Sequence, residues 1–283
     1  MHKPSSSIKV FDRRLLRQRR ERAAQDIHNF DFLFVEIAQR LMERLDLVKR
    51  AFPLVLDLGS AHGKLASMLQ QRKGTEQVIG MDTSFAMLRR SSVGAAVVAD
   101  EELLPFRAAS LDAVVSNLHL HWVNDLPGAL LQVRQALKQD GMFLAALLGG
   151  ETLKELRQCL MEAELALQGG VSPRVSPFID PRDLGSLLQR AGFALPVVDS
   201  DMVTVQYAGA LQLMRDLRGM GAGNATRNRL LHATRRQVLL EAARLYQEKF
   251  SNAEGCVPAT FQVIYAIGWA PVSETRNQKI SSL

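Results

Sequence analysis

Residues 54–69 read LVLDLGSAHGKLASML, an apolar run that closes on one aspartate and opens into a five-residue loop with glycine at both ends. The run PLVLDLG (53–59), bounded by proline and glycine, has the length and composition of a strand buried on both faces, and GKLASMLQQR (63–72) has those of a helix. The loop Gly59-Ser60-Ala61-His62-Gly63 contains neither GxGxxG nor GK[ST], so a phosphate cradle is disfavoured. Asp57, just before it, repels a pyrophosphate and suits a ligand that carries an ammonium group.

Outward from this unit the pattern alternates. QVIGMD (77–82), AAVVAD (95–100), SLDAVVSNL (110–118) and GMFLAALLG (141–149) read as strands; SFAMLRRS (84–91) and LPGALLQVRQALK (126–138) read as helices. Strands and helices at this pitch need crossover connections, which predicts an α/β fold with a parallel sheet covered on both faces. Before it, residues 30–48 place Phe34, Ile37, Leu41, Leu45 and Val48 on one helical face. After Gly150 come a helix (TLKELRQCLMEAELALQ), a turn-rich stretch, a helix closed by glycine (DLGSLLQRAGF) and strands at 196–207 and 260–269. The mostly helical segment between those two strands is long for a connection, and a role as a lid over a substrate site is expected.

The chain has 283 residues, of which 47% are hydrophobic, enough for one large core. No window approaches eighteen uninterrupted apolar residues, so no membrane span is expected. Cys159 and Cys256 lie too far apart in sequence for a zinc knuckle or redox motif and read as free thiols of a reducing compartment. Residues 1–25 hold eight Lys/Arg against Asp12 and Glu21, a surplus equal to the whole chain's net charge of +6; the body is therefore neutral. Such a basic arm fits nucleic acid, anionic lipid, an acidic partner, a mitochondrial transit peptide or a solvated helix. Only about ten residues precede FDRRL, which favours a mature or never-targeted protein.

In an open parallel sheet, ligands bind beyond the carboxyl ends of the strands, where strand order reverses. There this chain sets Asp57, then Asp82 twenty-five residues later, then Asp100-Glu101 followed by Leu103 and Phe106. A carboxylate at Asp82 is placed for the two hydroxyls of a ribose, and Asp100-Glu101 for the exocyclic amine of a base. The fourth strand runs into Asn117-Leu118-His119-Leu120-His121-Trp122, polar and aromatic groups near the middle of the cleft. Together these describe a site for an adenosine joined to an amino acid.

DLGSAHG, IGMD, VVADEELLPF and SLDAVVSNLHLHWVNDLPGALLQVRQALKQDGMF resemble successive motifs of the class I S-adenosylmethionine-dependent methyltransferases. FDRRL, ADEELLPF, LHWVNDLP, GGETLKELR, SPFIDPRDLGSLLQRAGF, LMRDLRGMGAGNA and VPATFQVIYAIGW resemble, across nearly the whole chain, the family of the fifth assembly factor of respiratory complex I. That family is related to the malonyl-acyl-carrier-protein O-methyltransferases of biotin synthesis. The resemblance implies a Rossmann-like fold with a mostly parallel seven-stranded sheet and helices on both faces. It implies a basic arm (1–29), a methyltransferase-fold domain (30–283) and a helical insertion at about 208–256 between the last two strands. It further implies S-adenosylmethionine as cofactor, and hydroxylation of an arginine on a complex I subunit as the activity. Carboxyl O-methylation of malonyl-acyl carrier protein and a non-enzymatic chaperone role are the alternatives.

By position, Asp57, Gly59 and Gly63 would line the methionine end, Asp82 the ribose, Asp100 and Glu101 the adenine and Asn117 the sulfonium. His121 and Trp122 would stand beside the reacting centre. The departure is the loop, where the family has more glycine and this chain has Ser60, Ala61 and His62. The methyl of Ala61 is tolerated if its backbone lies in an ordinary region, and His62 is expected to add bulk near the cofactor. His119 and His121 are candidate bases for a protonated nucleophile. With Asp125 they contain two imidazoles and one carboxylate, the donor set of non-haem iron, but not at a recognised spacing, and no metal is expected. The implied partner is a protein substrate, without nucleic acid. The implied setting is a bacterial cytoplasm, at the inner-membrane face through that partner, with the mitochondrial matrix as the alternative.

Overall fold

A computed structural model describes residues 9–272. Seven strands form one sheet: β1 (Leu54–Leu58), β2 (Gln77–Asp82), β3 (Ala95–Val98), β4 (Leu111–Asn117), β5 (Leu137–Leu148), β6 (Ala194–Tyr207) and β7 (Val257–Trp269). Their order is β3-β2-β1-β4-β5-β7-β6. Pairings among β1 to β5 are parallel, and β7 runs antiparallel between β5 and β6. The order reverses between β1 and β4, so a crevice opens at their carboxyl ends.

The centre of the sheet is apolar on both sides because both are covered. Leu56 and Leu58 of β1, and Met142 through Leu147 of β5, are fully buried. One face packs on α2 (Phe32–Asp46), α3 (Lys64–Gln71), α6 (Lys154–Gln168) and α9 (Arg236–Phe250), through residues such as Ile37, Leu41, Leu69, Ala163 and Tyr246. The other packs on α5 (Leu126–Ala136) and α7 (Pro181–Arg190) through Leu130, Val133, Leu184 and Leu188. The expected helix at 84–91 is a single turn, α4 (Phe85–Leu88), capped by the Ser84 hydroxyl accepting from the Met87 amide. Both cysteines are free thiols, and burial pushes that of Cys159 up to about 11.

Two further segments complete the fold. Between β6 and β7 lie α8 (Ala210–Gly219) and α9. Residues 1–8 of the basic arm, with Lys3, lie outside the described residues; the rest of it includes α1 (Arg13–Ala23), docked through Leu16, Arg20 and Ala23 while Arg14, Arg17 and Arg22 face solvent. Phe11 packs edge-on against Trp122 with centroids 5.5 Å apart, its amide donates to Asn124 Oδ1, and the Asp12 amide donates to the Ala225 carbonyl. Ala23, Ala24 and Ile27 share a small core with Met87.

Candidate functional site

The loop after β1 hangs from the end of β2. The amides of Gly59 and Ser60 both donate to the Met81 carbonyl, at 2.8 and 2.9 Å, and the Ala61 amide donates to Asp82 Oδ2 at 3.0 Å. Three consecutive donors aimed at one strand end force a tight left-handed course. Gly59 and Gly63 have φ of 79°, and Ala61 has φ of 49°. The condition under which the Ala61 methyl is free of strain, an ordinary backbone region, is not met: an alanine stands where the turn geometry favours glycine. A side chain at Gly59 would collide with the His119 ring, and one at Gly63 with Ser91. The His62 ring is engaged with the segment before α2: Nε2 lies 2.9 Å from Asp31 Oδ2, and the ring meets His28 and Phe34 edge-on. Burial holds its pKa below the usual imidazole value despite Asp31.

Asp57, on the central strand, is buried, and neither of its carboxylate oxygens has a hydrogen-bond partner. Burial pushes its pKa up to about 7, with the Ser60 hydroxyl and the Ala66 amide near enough to offset part of the rise and Asp82 adding to it. At the end of β4, Asn117 donates through Nδ2 to the Phe34 carbonyl at 2.8 Å, while its Oδ1 is buried without a partner. These orphaned acceptors fit the ammonium of an amino acid.

The acids at the ends of β2 and β3 are in the opposite condition. Asp82, fully buried, accepts the Ser84 amide on Oδ1 at 2.8 Å; its Oδ2 takes Arg20 Nη2 at 2.5 Å besides the Ala61 amide. Arg20 also donates through Nη1 to His119 Nδ1 at 2.7 Å. A guanidinium only donates, so His119 carries its proton on Nε2 and gives it to Glu101. Glu101 also pairs with Arg13, and Arg13 reaches Asp100 Oδ1 at 2.7 Å. Burial raises the Glu101 pKa, but His119 and Arg13 outweigh it and hold the carboxyl well below the usual range. A buried chain thus runs Arg13, Glu101, His119, Arg20, Asp82, with both cations supplied by α1. Sequence reading singled out the acids and missed Arg13 and Arg20 as their partners. The one available signal was the phase of the arm: positions 13, 16, 20 and 23 form one helical face that carries Arg13, Leu16, Arg20 and Ala23.

His121 and Trp122 stand together in a turn after β4, both buried. His121 Nδ1 accepts the Leu148 amide at 3.3 Å, which puts the ring proton on Nε2, and the ring packs between Trp122 and Phe178. Burial first, with the Arg20 guanidinium adding to it, holds its pKa well below the ordinary value and keeps the ring neutral. The two imidazoles after β4 do not converge with Asp125: His119 faces Glu101, and Asp125 caps α5 by accepting the Gly128 amide. Among the described residues, the three groups whose ligand atoms lie within 4.8 Å of one another are His28, Asp31 and His62, with the Lys64 ammonium 3.7 Å from Asp31 Oδ2.

A family profile described as "Methyltransferase domain" matches residues 56–145, from β1 into β5. The chain is 45% identical over 270 residues to "Arginine-hydroxylase NDUFAF5, mitochondrial" of Danio rerio, covering 93% of this chain and 84% of that protein. It is 36% identical over 286 residues to "Malonyl-[acyl-carrier protein] O-methyltransferase" of Xylella fastidiosa, covering 97% and 95%. In fold it is similar to phosphoethanolamine N-methyltransferase 2 of Haemonchus contortus in complex with S-adenosyl-L-methionine, with a TM-score of 0.56 and 15% identity, covering 88% of this chain and 57% of that one. The chain belongs to the NDUFAF5 family and has the class I methyltransferase fold.

Proposed function

We propose that this protein is an assembly factor for respiratory complex I that binds S-adenosylmethionine and hydroxylates an arginine of a complex I subunit. The observation that carries this reading is the 45% identity, over 93% of the chain, to a protein named as an arginine-hydroxylase. In this reading Asp57 accepts the cofactor's ammonium, and Gly59 and Gly63 leave room for its methionine end. Asp82 takes the ribose hydroxyls after exchanging Arg20 for them. Asp100 and Glu101 flank the adenine, Asn117 lies near the sulfonium, and His121 and Trp122 wall the reacting centre. The bound cofactor supplies a methyl carbon on a positively charged sulfur. Hydroxylation calls on more: one atom of dioxygen enters the substrate, the other leaves as water, and a reductant provides two electrons.

A second reading, carboxyl O-methylation of malonyl-acyl carrier protein, is supported by the protonation of the site. A guanidinium attacks only after losing a proton, and His121, with Nδ1 engaged by a backbone amide, offers no free lone pair to take it. A substrate carboxylate is already ionised and needs alignment alone. Mass spectrometry of complex I subunits from cells lacking the protein separates these readings. Loss of one oxygen's mass from an arginine supports hydroxylation, and loss of a methylene's mass supports methylation. An unchanged subunit leaves carrier-protein methylation or a non-enzymatic chaperone role, which assay of malonyl-acyl carrier protein then divides. No helix of the described residues is long and apolar enough to cross a membrane, so contact with the membrane in this reading runs through the partner, at the bacterial inner face or in the matrix.

A further inference from the structure

Beside the crevice, between α1, α6 and α8, lies a cavity of about 670 Å³, the size of a small-molecule site. Its wall carries Arg19, Arg22, Arg174, Arg215 and Arg218 against one acid, Asp26. Of the five, Arg174 pairs with Glu164; among the described residues no carboxylate pairs with the other four. Arg19 donates to the Asn224 carbonyl at 2.5 Å, which leaves its charge uncompensated. Burial first, and then the guanidinium groups of Arg229, Arg218 and Arg22, draw Arg19 below its ordinary pKa, against the pull of Asp12. Under this charged wall, Leu156, Leu160, Met214 and Leu217 make an apolar floor. The floor is continuous with the narrow gap beside His121 and Trp122, since Leu153, Phe178 and Leu217 line both.

Unneutralised guanidinium groups over an apolar floor are complementary to an anion on an apolar stem. We propose that this cavity is the outer subsite for the substrate, and that it holds a phosphate or carboxylate whose apolar stem leads to the gap at His121 and Trp122. The inference rests on the reading of that gap as the reacting centre and adds the substrate's class. A guanidinium does not lodge among four like charges, so an arginine substrate brings the anion on a neighbouring acidic residue.

Calorimetric titration of the full-length protein tests this without turnover, so the result stands apart from the arginine mass measurement. The probes are hexyl phosphate, a blocked Glu-Leu-Glu peptide and hexylammonium. At least one anionic probe is expected to bind about tenfold more tightly than hexylammonium, and which one does so identifies the source of the charge. The double variant Arg215→Glu/Arg218→Glu changes two exposed side chains; it is expected to weaken that probe about tenfold or more with the melting temperature unchanged. Arg22→Gln, also exposed, is the milder check, expected to weaken it about threefold. Equal binding of hexylammonium, no binding of either anion, or anion binding that survives the folded variants overturns the proposal.

Discussion

The two ends of the crevice hold buried acids in opposite states. At the methionine end, both oxygens of Asp57 and Oδ1 of Asn117 have no partner. At the nucleoside end, Asp82 and Glu101 are equally buried, yet both are paired with guanidinium groups of α1. An unpaired buried carboxylate costs folding energy, and Asp57 meets that cost by holding its proton. The paired acids incur no such cost, because a segment of the same chain supplies the cations. In the proposed reading, a cofactor therefore relieves one end, where its ammonium lets Asp57 ionise, and competes at the other, where its ribose meets an acid already engaged. The affinity is the difference between these two contributions.

The sharpest way to break this contrast is at Asp57. Asp57→Asn is expected to raise the melting temperature of the ligand-free protein and weaken S-adenosylmethionine about 100-fold, read by calorimetry; an unchanged dissociation constant would sink the role given to Asp57. Next comes Arg20→Met, which strands Asp82 and is expected to cost about 3 kcal/mol without ligand. The cofactor should then raise the melting temperature more than it does in the wild type, and a smaller rise would make Arg20 a holder of the cofactor rather than its competitor. Arg13 is partly exposed, with 18% of its side chain accessible, so Arg13→Gln is expected to cost about 1 kcal/mol. Its signature is faster amide exchange along α1, and protection equal to the wild type there would contradict the latch formed with Glu101. The smallest effect is Ala61→Gly, which relieves a left-handed alanine and is expected to gain about 0.5 kcal/mol in urea unfolding with an unchanged slope.

What was legible in the sequence followed from local pattern. The continuous apolar runs marked the buried parallel strands, and an acid at or just past the end of each of the first three marked the crevice, so Asp57 and Asp82 stand where strand register puts them and Glu101 stands three residues past β3. The matches of Arg20 to Asp82 and His119 join residues 62 and 99 positions apart, and no periodicity within the arm contains them. Read as net charge, the arm was an undirected surplus; as a docked helix, it supplies two specific cations. The backbone of Ala61 was not legible for a related reason: its left-handed turn is imposed by hydrogen bonds to Met81 and Asp82, on the neighbouring strand.

The most direct measurement is the dissociation constant of S-adenosylmethionine between pH 5.5 and 7.5. The native state holds the Asp57 proton more tightly than the unfolded chain, so this group favours folding at acid pH, and that advantage is lost as the pH rises from 3.8 to about 7. Binding of an ammonium requires the ionised carboxylate, so the sign reverses for the ligand. The constant is expected to fall about tenfold per pH unit until about pH 7 and then level off, with a proton released on binding below that point. A flat profile with no proton release would contradict Asp57 as the group that receives the cofactor.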